Sequence, residues 1–235
     1  MKIWENLVED TEKIVPSDVQ CEIKMINSTE SLTRFANSHI HQNVEEEITD
    51  VYLTFHSGGK TTNLNLNITS LRSIDEVVKK ALSELANNPK DSNWPGLASK
   101  EKSFDGYKSI SPENPDLRAQ KVKDFIDQGK SFNGAGYCSS NVSNVFVWNT
   151  DGLNSSDTAT SAFLDGIFRS ETSSGSSHIG HKILENIDGK KVGQEAYSIA
   201  KESQNPQDID PGIYEVILGP DAVSTILVFL AVYGF

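Results

Sequence analysis

The chain has 235 residues, of which 37% are hydrophobic, enough to build the core of one large domain or two small ones. Its 21 basic and 33 acidic residues give a formal net charge of -12 at pH 7, so direct binding to nucleic acid or anionic lipid is not expected. The two cysteines cannot form a disulfide framework, and the first residues lack the regions of a signal peptide. No apolar stretch reaches the ~20 residues of a membrane-spanning helix. These features predict a reduced, cytoplasmic protein.

The first 87 residues carry the pattern of an α+β module. Apolar residues at helical spacing predict a helix over residues 2–14, which Pro16 ends. Alternation of apolar and polar residues predicts a strand over 19–25 and short strands over 32–35, 40–44 and 48–55. The turn residues at 57–60 favour a β-hairpin into a strand over 64–68. A capping box that begins at Ser73 predicts a helix ending near residue 87.

Residues 88–115 are rich in Pro, Asn, Ser, Lys and Gly, and we interpret them as a linker or long loop. A second α+β domain is predicted over residues 116–211. Its elements are a helix over 116–129, strands over 134–137, 142–148 and 158–169, a turn at residues 151–152 and a helix over about 190–203.

The last 24 residues, 212–235, predict a strand over 213–218, a break at Gly219 and Pro220, and a helix capped by Asp221. An end this apolar must be covered by something, so we expect residues 212–235 to be the truncated start of a third domain. The predicted fold class is therefore α+β, with antiparallel sheets and flanking helices in two modules plus the beginning of a third.

Three stretches of the sequence resemble the TldD/PmbA family, zinc-peptidase-like proteins once named modulators of DNA gyrase. Residues 32–44 are LTRFANSHIHQNV, and residues 136–140 are GYCSS, followed by NTDGL at 149–153. Residues 205–206 are NP, and 211–223 are PGIYEVILGPDAV. The stretches stand in the family order across nearly the whole chain. The resemblance implies that the chain holds the N-terminal and middle regions of such a protein.

The resemblance also implies where zinc would be bound. In TldD-like members an HExxxH segment follows the Gly-Pro turn; its two His and a distant Cys bind zinc, and its Glu is the general base. Here residues 225–233 are TILVFLAVY, with no His, Cys, Asp or Glu. That segment therefore cannot hold zinc or activate a water molecule. The chain resembles the PmbA, or TldE-like, subunit, and it is assigned no catalytic, cofactor-binding or metal residue.

Two functions follow as expectations. The resemblance implies the non-zinc subunit of a cytoplasmic peptidase complex that acts on unfolded peptides, with zinc on a TldD-like partner or with the chain as a homo-oligomer. The alternative is a non-catalytic peptide- or protein-binding module that uses exposed strand edges, because the Ser- and Thr-rich strands between residues 139 and 177 could add an extended peptide to the sheet. The same strands also fit the polar face of a packed antiparallel sheet.

The five histidines are possible metal ligands. His39 and His41 would share a face of a strand, and His178 and His181 stand three residues apart. A zinc site needs three or four ligands, and no Cys or carboxylate is placed near either pair by the sequence, so polar surface positions are favoured. His56 is predicted to be a turn residue.

Three further motifs have both a functional and a purely structural interpretation. The Gly-Lys-Thr at residues 59–61 imitates the end of a phosphate-binding loop, but Thr54 replaces the first glycine and a strand follows, so nucleotide binding is not expected. The three glutamates at 45–47 predict a solvated strand end that blunts an edge. Cys138 could be a nucleophile beside a base, but a buried, inert thiol is favoured.

Overall fold

The computed structural model describes residues 2–67, 74–99 and 114–234. They belong to two compact units, Met1–Gln204 and Asn205–Phe235. The first unit contains helix α1 (Lys2–Ile14), strands β1 (Gln20–Ala36), β2 (His39–Ser57) and β3 (Lys60–Asn67), helices α2 (Ile74–Asn87) and α3 (Pro115–Ile126), strands β4 (Asn133–Asn149), β5 (Asn154–Arg169) and β6 (Ser174–His181), a 3-10 turn (Leu184–Asn186) and helix α4 (Gly189–Glu202). The second unit contains helix α5 (Pro220–Gly234).

The six strands form one antiparallel sheet in the order β3-β2-β1-β4-β5-β6. β1 pairs with β2 along its whole length and with β4 from Glu22 to Phe35. The predicted α+β class, with antiparallel strands and flanking helices, is confirmed. Strands from both predicted modules meet at the β1–β4 pair, so the modules share one sheet, while the boundaries 1–87, 88–115, 116–211 and 212–235 stay a prediction.

The strands are longer than the sequence pattern indicated. The short strands predicted over 32–35, 40–44 and 48–55 are wrong in extent, because β1 and β2 run through without a break, and those over 134–137 and 142–148 merge into β4. The polar residues in between bond across the ladder instead of forming turns. Asn27 Nδ2 donates to Glu47 Oε1 at 2.9 Å, and Ser28 Oγ lies 2.8 Å from Ser143 Oγ. Satisfied in this way, polar side chains do not interrupt a strand.

One face of the sheet, the covered face, carries the helices. Along β1 the buried residues Ile23 and Phe35 are twelve positions apart in an unbroken strand and therefore point to the same side. At one end, α1 and α2 pack with Ile23, Leu53 and Phe55 in a first core. At the other end, α3 and α4 pack with Phe35, Leu164 and Phe168 in a second core. Two separate helix pairs thus use the two ends of one face.

The other face of the sheet, the open face, has none of the four helices of residues 2–67, 74–99 and 114–204 packed on it. Part of the predicted linker reaches it, because the Trp94 ring stacks on His56 with 4.6 Å between ring centroids. Asn88 Nδ2 also donates to the Thr61 carbonyl at 2.8 Å, and a β-bridge joins Lys60 to Lys90. Residues 88–99 therefore fasten to the end of the β2–β3 hairpin and are an ordered strap.

The helices lie close to their predicted positions. α1 and α2 match the predicted ranges, while α3 ends at Ile126 rather than 129 and α4 runs over Gly189–Glu202. The side chain of Asn114 caps α3 by accepting from the Leu117 N–H at 2.9 Å, and that of Asp188 caps α4 by accepting from Lys191 at 2.9 Å. The predicted cap of α2, Ser73, lies outside the described residues.

The second unit contains one helix and no strand among residues 205–234. The strand predicted over 213–218 is wrong: Ile217 is 96% exposed, and no described strand pairs with this segment to take its backbone hydrogen bonds. Helix α5 begins at Pro220, so Asp221 lies in its first turn and is not the cap. In the part of the chain that the structure describes, no helix is both long and apolar enough to cross a membrane.

Candidate functional site

The first two family-like stretches meet on the sheet. Residues 32–44 form the tip of the β1–β2 hairpin, whose turn residues Asn37 and Ser38 have φ of 49° and 60°. Phe35 pairs with Gly136 of the second stretch, and Thr33 pairs with Cys138. The sequence places these stretches about a hundred residues apart, whereas antiparallel pairing makes them neighbours. The third stretch, residues 205–223, belongs to the second unit.

The hairpin tip is fastened to the beginning of β4. The Ser38 N–H donates to the Gly134 carbonyl at 2.8 Å, and the Gly134 N–H donates to Ser38 Oγ at 2.9 Å. Next to this pair, Gly136 has no room for a side chain, since a Cβ there would lie 2.1 Å from the Asp165 carbonyl oxygen and 2.8 Å from Phe35 Cζ. The resemblance of residues 32–44 and 136–140 thus coincides with a tightly packed junction.

A buried arginine that the sequence analysis missed joins helix α3 to this junction. Arg118 is 1% exposed, and its Nη1 donates to Ser140 Oγ at 3.1 Å. Its Nη2 donates to Asn43 Oδ1 at 3.4 Å, and the same oxygen accepts from Thr33 Oγ1 at 2.8 Å. The sequence contained a signal for this burial. Arg118 stands four residues before the buried Val122, and this spacing places both residues on the same face of the helix.

Cys138 is buried near this arginine, and its thiol is expected to be unreactive. Burial raises the pKa of its thiol to about 12, against a smaller lowering by Arg118 and Lys121. Burial likewise raises the pKa of Cys21 to about 12, with a further contribution from the Glu22 charge. A thiol with such a pKa is almost fully protonated at neutral pH and is a poor nucleophile. The burial expected of Cys138 is confirmed, and its lack of reactivity stays a prediction.

The structure does not assemble the histidines into a chelating site. His39 and His41 are both exposed, and His39 Nδ1 lies 2.7 Å from the Asn37 carbonyl oxygen. His178 stacks on Phe163 at 5.6 Å, while His181 Nδ1 accepts from the Ile183 N–H at 3.0 Å. Three residues apart on β6, the two point to opposite faces. Among the described residues no three His, Cys, Asp or Glu side chains cluster as a metal site would require, and the absence of a bound metal stays a prediction.

The prediction that His56 is a turn residue is wrong. His56 is the penultimate residue of β2. The turn falls one residue later than Ser57, at Gly58 and Gly59, which have φ of 58° and 76°. His56 Nδ1 lies 3.0 Å from Thr61 Oγ1, which donates to Asp91 Oδ2 at 3.0 Å. With Trp94 stacked on its ring, His56 is the anchor of the strap.

The Gly-Lys-Thr motif at residues 59–61 serves this hairpin. Gly59 completes the turn, and Lys60 begins β3, so a strand follows the motif as predicted. Lys60 Nζ donates to the Ala86 carbonyl at 2.5 Å, at the end of α2. The helix N-terminus that cradles phosphate in a phosphate-binding loop has no counterpart at this turn.

The glutamates at 45–47 lie in the middle of β2 rather than at a strand end. β3 pairs with β2 only from Asp50 to Ser57, so the outer edge of residues 39–49 has no strand partner in the described part of the chain. All three glutamates are exposed along this edge. Beside it, on the open face, lies a cavity of about 310 Å³ lined by Glu30, Leu32, Val44, Glu46 and residues 139–141. This cavity is a concave surface close to the hairpin.

Comparison with known proteins gives matches only at the level of three-dimensional structure. No protein-family model and no curated protein sequence matches the chain. A candidate modulator of a DNA gyrase from Thermotoga maritima matches with a TM-score of 0.64 and 18% identity over 90% of this chain and 50% of that chain. TldE from Thermococcus kodakarensis matches with a TM-score of 0.66 and 17% identity over 84% and 47% of the two chains. The chain has the fold of these proteins.

A third structure extends this likeness. A candidate modulator of DNA gyrase from Bacteroides thetaiotaomicron matches with a TM-score of 0.71 and 12% identity over 88% of this chain and 51% of that chain. The chain thus spans about half the length of the structures it matches. The fold that the resemblance of residues 32–44, 136–153 and 205–223 implied is confirmed, because TldE and two candidate gyrase modulators share it.

Proposed function

We propose that this chain is a TldE-like member of the TldD/PmbA family and acts as the non-zinc subunit of a cytoplasmic peptidase complex for unfolded peptides. The observation that carries the proposal is the fold shared with TldE over 84% of this chain. The sequence motifs support it, since the stretches at 32–44 and 136–140 meet at one junction, around the Phe35–Gly136 pair. Two family-like stretches that lie far apart in the sequence but contact each other in the structure fit one folding unit better than chance similarity.

The chemistry of residues 225–233 supports the part of the proposal that puts zinc on the partner. In the structure these residues belong to α5, and they contain no imidazole, thiolate or carboxylate. Without such ligands, the helix cannot lower the pKa of a metal-bound water to generate a nucleophile. When zinc is bound in the complex, the TldD-like subunit supplies this activated water, and the present chain contributes the surface that contacts peptide or partner.

The test mixes the purified chain with a TldD-like subunit and follows cleavage of a flexible, fluorogenic peptide. We expect cleavage to exceed that of the TldD-like subunit alone, to be lost on chelation, and zinc analysis to find the metal with the TldD-like subunit. The chain denatured and diluted into the same assay is the control. No gain over the partner alone, or stoichiometric zinc in the present chain, would contradict the proposal.

A second candidate function is a non-catalytic module that binds peptide or protein by strand addition. It is favoured by one observation, the outer edge of β2 over residues 39–49, which has no strand partner among the described residues. Exposed backbone groups of a strand edge give affinity for any extended chain. Calorimetry of the chain alone with a flexible peptide tests this candidate, because peptide binding without a TldD-like subunit would favour it.

A further inference from the structure

The strap over residues 88–99 has no role in either candidate function. It crosses the open face at the end of the sheet whose covered face carries the first core. We propose that the strap is a conformational device: it opens and closes over this end of the sheet while both cores stay folded, and the side chain of Asn149 holds it closed. The proposal goes beyond both candidate functions and rests on neither.

The strap contacts four neighbouring strands in turn. It begins with its β-bridge to β3 and then contacts β2 through the stack of Trp94 on His56. Nε1 of Trp94 donates to Gln20 Oε1 of β1 at 3.0 Å. The Ala98 carbonyl then accepts from Nδ2 of Asn149, the last residue of β4, at 2.8 Å. The strap is therefore attached at both ends and in the middle, in the strand order β3-β2-β1-β4.

The side chain of Asn149 joins the far end of the strap to the turn between β4 and β5. Its Oδ1 accepts from the Asp151 N–H at 3.0 Å and from the Leu153 N–H at 3.1 Å, while its Nδ2 donates to the Ala98 carbonyl. Two N–H donors on one side and a carbonyl on the other determine which atom is oxygen and which is nitrogen. Asn149 is 1% exposed, so an open strap leaves its amide group short of a partner, which favours closure. The family-like stretch at residues 149–153 thus has a structural task.

The strap is attached without a hydrophobic core of its own. Each of residues 88–99 is exposed or half-buried, and the described members of both cores lie outside this range. The contacts named above are hydrogen bonds, one β-bridge and one ring stack. Segments with few buried apolar contacts open locally at a lower free energy than that of global unfolding. The strap should therefore open while the sheet and its four helices remain folded.

Opening of the strap would uncover a row of polar side chains. Thr61, His56 and Gln20 are successive cross-strand partners on β3, β2 and β1, and all three lie on the open face. Gln20 Nε2 continues the row by donating to Asp151 Oδ2 at 3.5 Å. In the closed state the Trp94 indole covers the His56 ring and donates to Gln20. The device therefore controls the access of solvent and of polar partners to this row.

The first experiment measures hydrogen exchange of the unaltered full chain by NMR at urea concentrations below the unfolding transition. The Trp94 indole N–H reports on the strap, and the amides of Ile23 and Met25 in the central strand β1 report on the first core. We expect the exchange rate of the indole N–H to be nearly independent of urea, because local opening exposes little surface, and the rates of the β1 amides to rise with urea. The same urea dependence at all three groups would overturn the proposal.

The second experiment tests Asn149 with the variant Asn149→Asp, which keeps oxygen acceptors for the turn but loses the donor to the strap. Exchange of the Trp94 indole N–H should become about tenfold faster, while the amides of Asp151 and Leu153 stay within about twofold.

The matched control is Asn154→Asp, an exposed position just after the same turn with the same change in net charge, which should leave the Trp94 indole N–H within about twofold. Equal acceleration in both variants, or equal acceleration of the turn amides in Asn149→Asp, would overturn the role of Asn149. The first experiment needs no variant and by itself decides whether the strap opens locally. Neither experiment uses a TldD-like subunit or a peptide, so their outcome is separate from that of both candidate functions.

Discussion

At the residue scale, the two cysteines show how burial controls reactivity. Cys21 belongs to the first core and Cys138 to the second, and both are fully buried. Removal from water disfavours the thiolate, and a thiol must ionise before it attacks an electrophile. The positive charges of Arg118 and Lys121 near Cys138 do not overcome this effect.

We therefore predict that neither cysteine reacts with iodoacetamide in the folded chain at pH 8. The raised pKa of about 12 at both thiols leaves a very small thiolate fraction at that pH. Mass spectrometry after timed labelling measures the reaction, and the same chain in guanidinium chloride, where both thiols should label, is the control. Rapid labelling of folded Cys138 would show that its thiol is accessible and activated.

The hydrogen-bond partners of two histidines determine their tautomers. Thr61 Oγ1 has one proton, which it donates to Asp91, so His56 Nδ1 must be the donor in its bond to that hydroxyl. His181 has the opposite arrangement, because its Nδ1 accepts from the Ile183 N–H. The neutral forms of the two rings should therefore carry their protons on different nitrogens.

We predict the Nδ1–H tautomer for neutral His56 and the Nε2–H tautomer for neutral His181. Long-range ¹H–¹⁵N NMR spectra distinguish the two forms at alkaline pH. The variant Thr61→Val should remove the preference at His56 and leave His181 unchanged, since only the former loses its acceptor. An Nε2–H tautomer at His56 in the unaltered chain would show that the bond chain to Asp91 is wrong.

At the scale of elements, the contact between β6 and α4 depends on a glycine. A Cβ at Gly175 would lie 2.3 Å from both the Ala196 carbonyl oxygen and the Ala200 backbone nitrogen, so it meets helix backbone that cannot turn aside. On the same strand, a Cβ at Gly180 would meet only the Phe163 side chain, at 3.2 Å. The two positions make a matched pair within one strand.

We predict that Gly175→Ala lowers the free energy of unfolding by about 3 kcal/mol, because overpacking forces the helix away from the sheet. Gly180→Ala should change it by no more than about 0.5 kcal/mol, since the Phe163 ring can shift by a few tenths of an ångström. Urea denaturation followed by circular dichroism gives both values. Equal effects of the two substitutions would contradict the close packing of α4 on β6.

Also at this scale, the strap shows why sequence composition misleads in polar segments. Residues 88–99 have the Pro, Asn and Ser content of a linker, and the structure gives them no helix or strand beyond the single bridge at Lys90. Their order comes from Trp94 on His56 and from Asn88 on β3. Such long-range contacts leave no periodic pattern in the sequence.

At the scale of the whole molecule, the sheet unites the two cores of residues 1–204. The helix pairs use separate ends of the covered face, but β1 and β4 contribute side chains to both cores, such as Ile23 and Phe35 on β1. The backbone ladder between β1 and β4 would have to break before either end could unfold alone. Cooperative units of this kind unfold together.

We predict a single unfolding transition for the two cores. Fluorescence of Trp4 and Trp148 reports on the first core, and hydrogen exchange of amides in α3 and α4 reports on the second. The midpoints in urea should coincide. Two separate midpoints would show instead that the predicted modules 1–87 and 116–211 are independent domains.

The sequence by itself determined the class of the fold, the positions of the helices and the hairpin at Gly58 and Gly59. These depend on local signals, namely apolar periodicity, caps and positive φ, which act within a few residues. It also determined that residues 225–233 cannot hold zinc, because ligand chemistry is a property of residue type. The three family-like stretches were sufficient to indicate the fold that TldE shares.

Only the tertiary structure decided which residues lie together. It showed that β1 and β2 run unbroken through polar residues such as Asn27, that Arg118 is buried against Asn43 and Ser140, and that residues 213–218 are not a strand. Each of these outcomes depends on whether a distant part of the chain supplies a contact. A local sequence pattern does not contain that information.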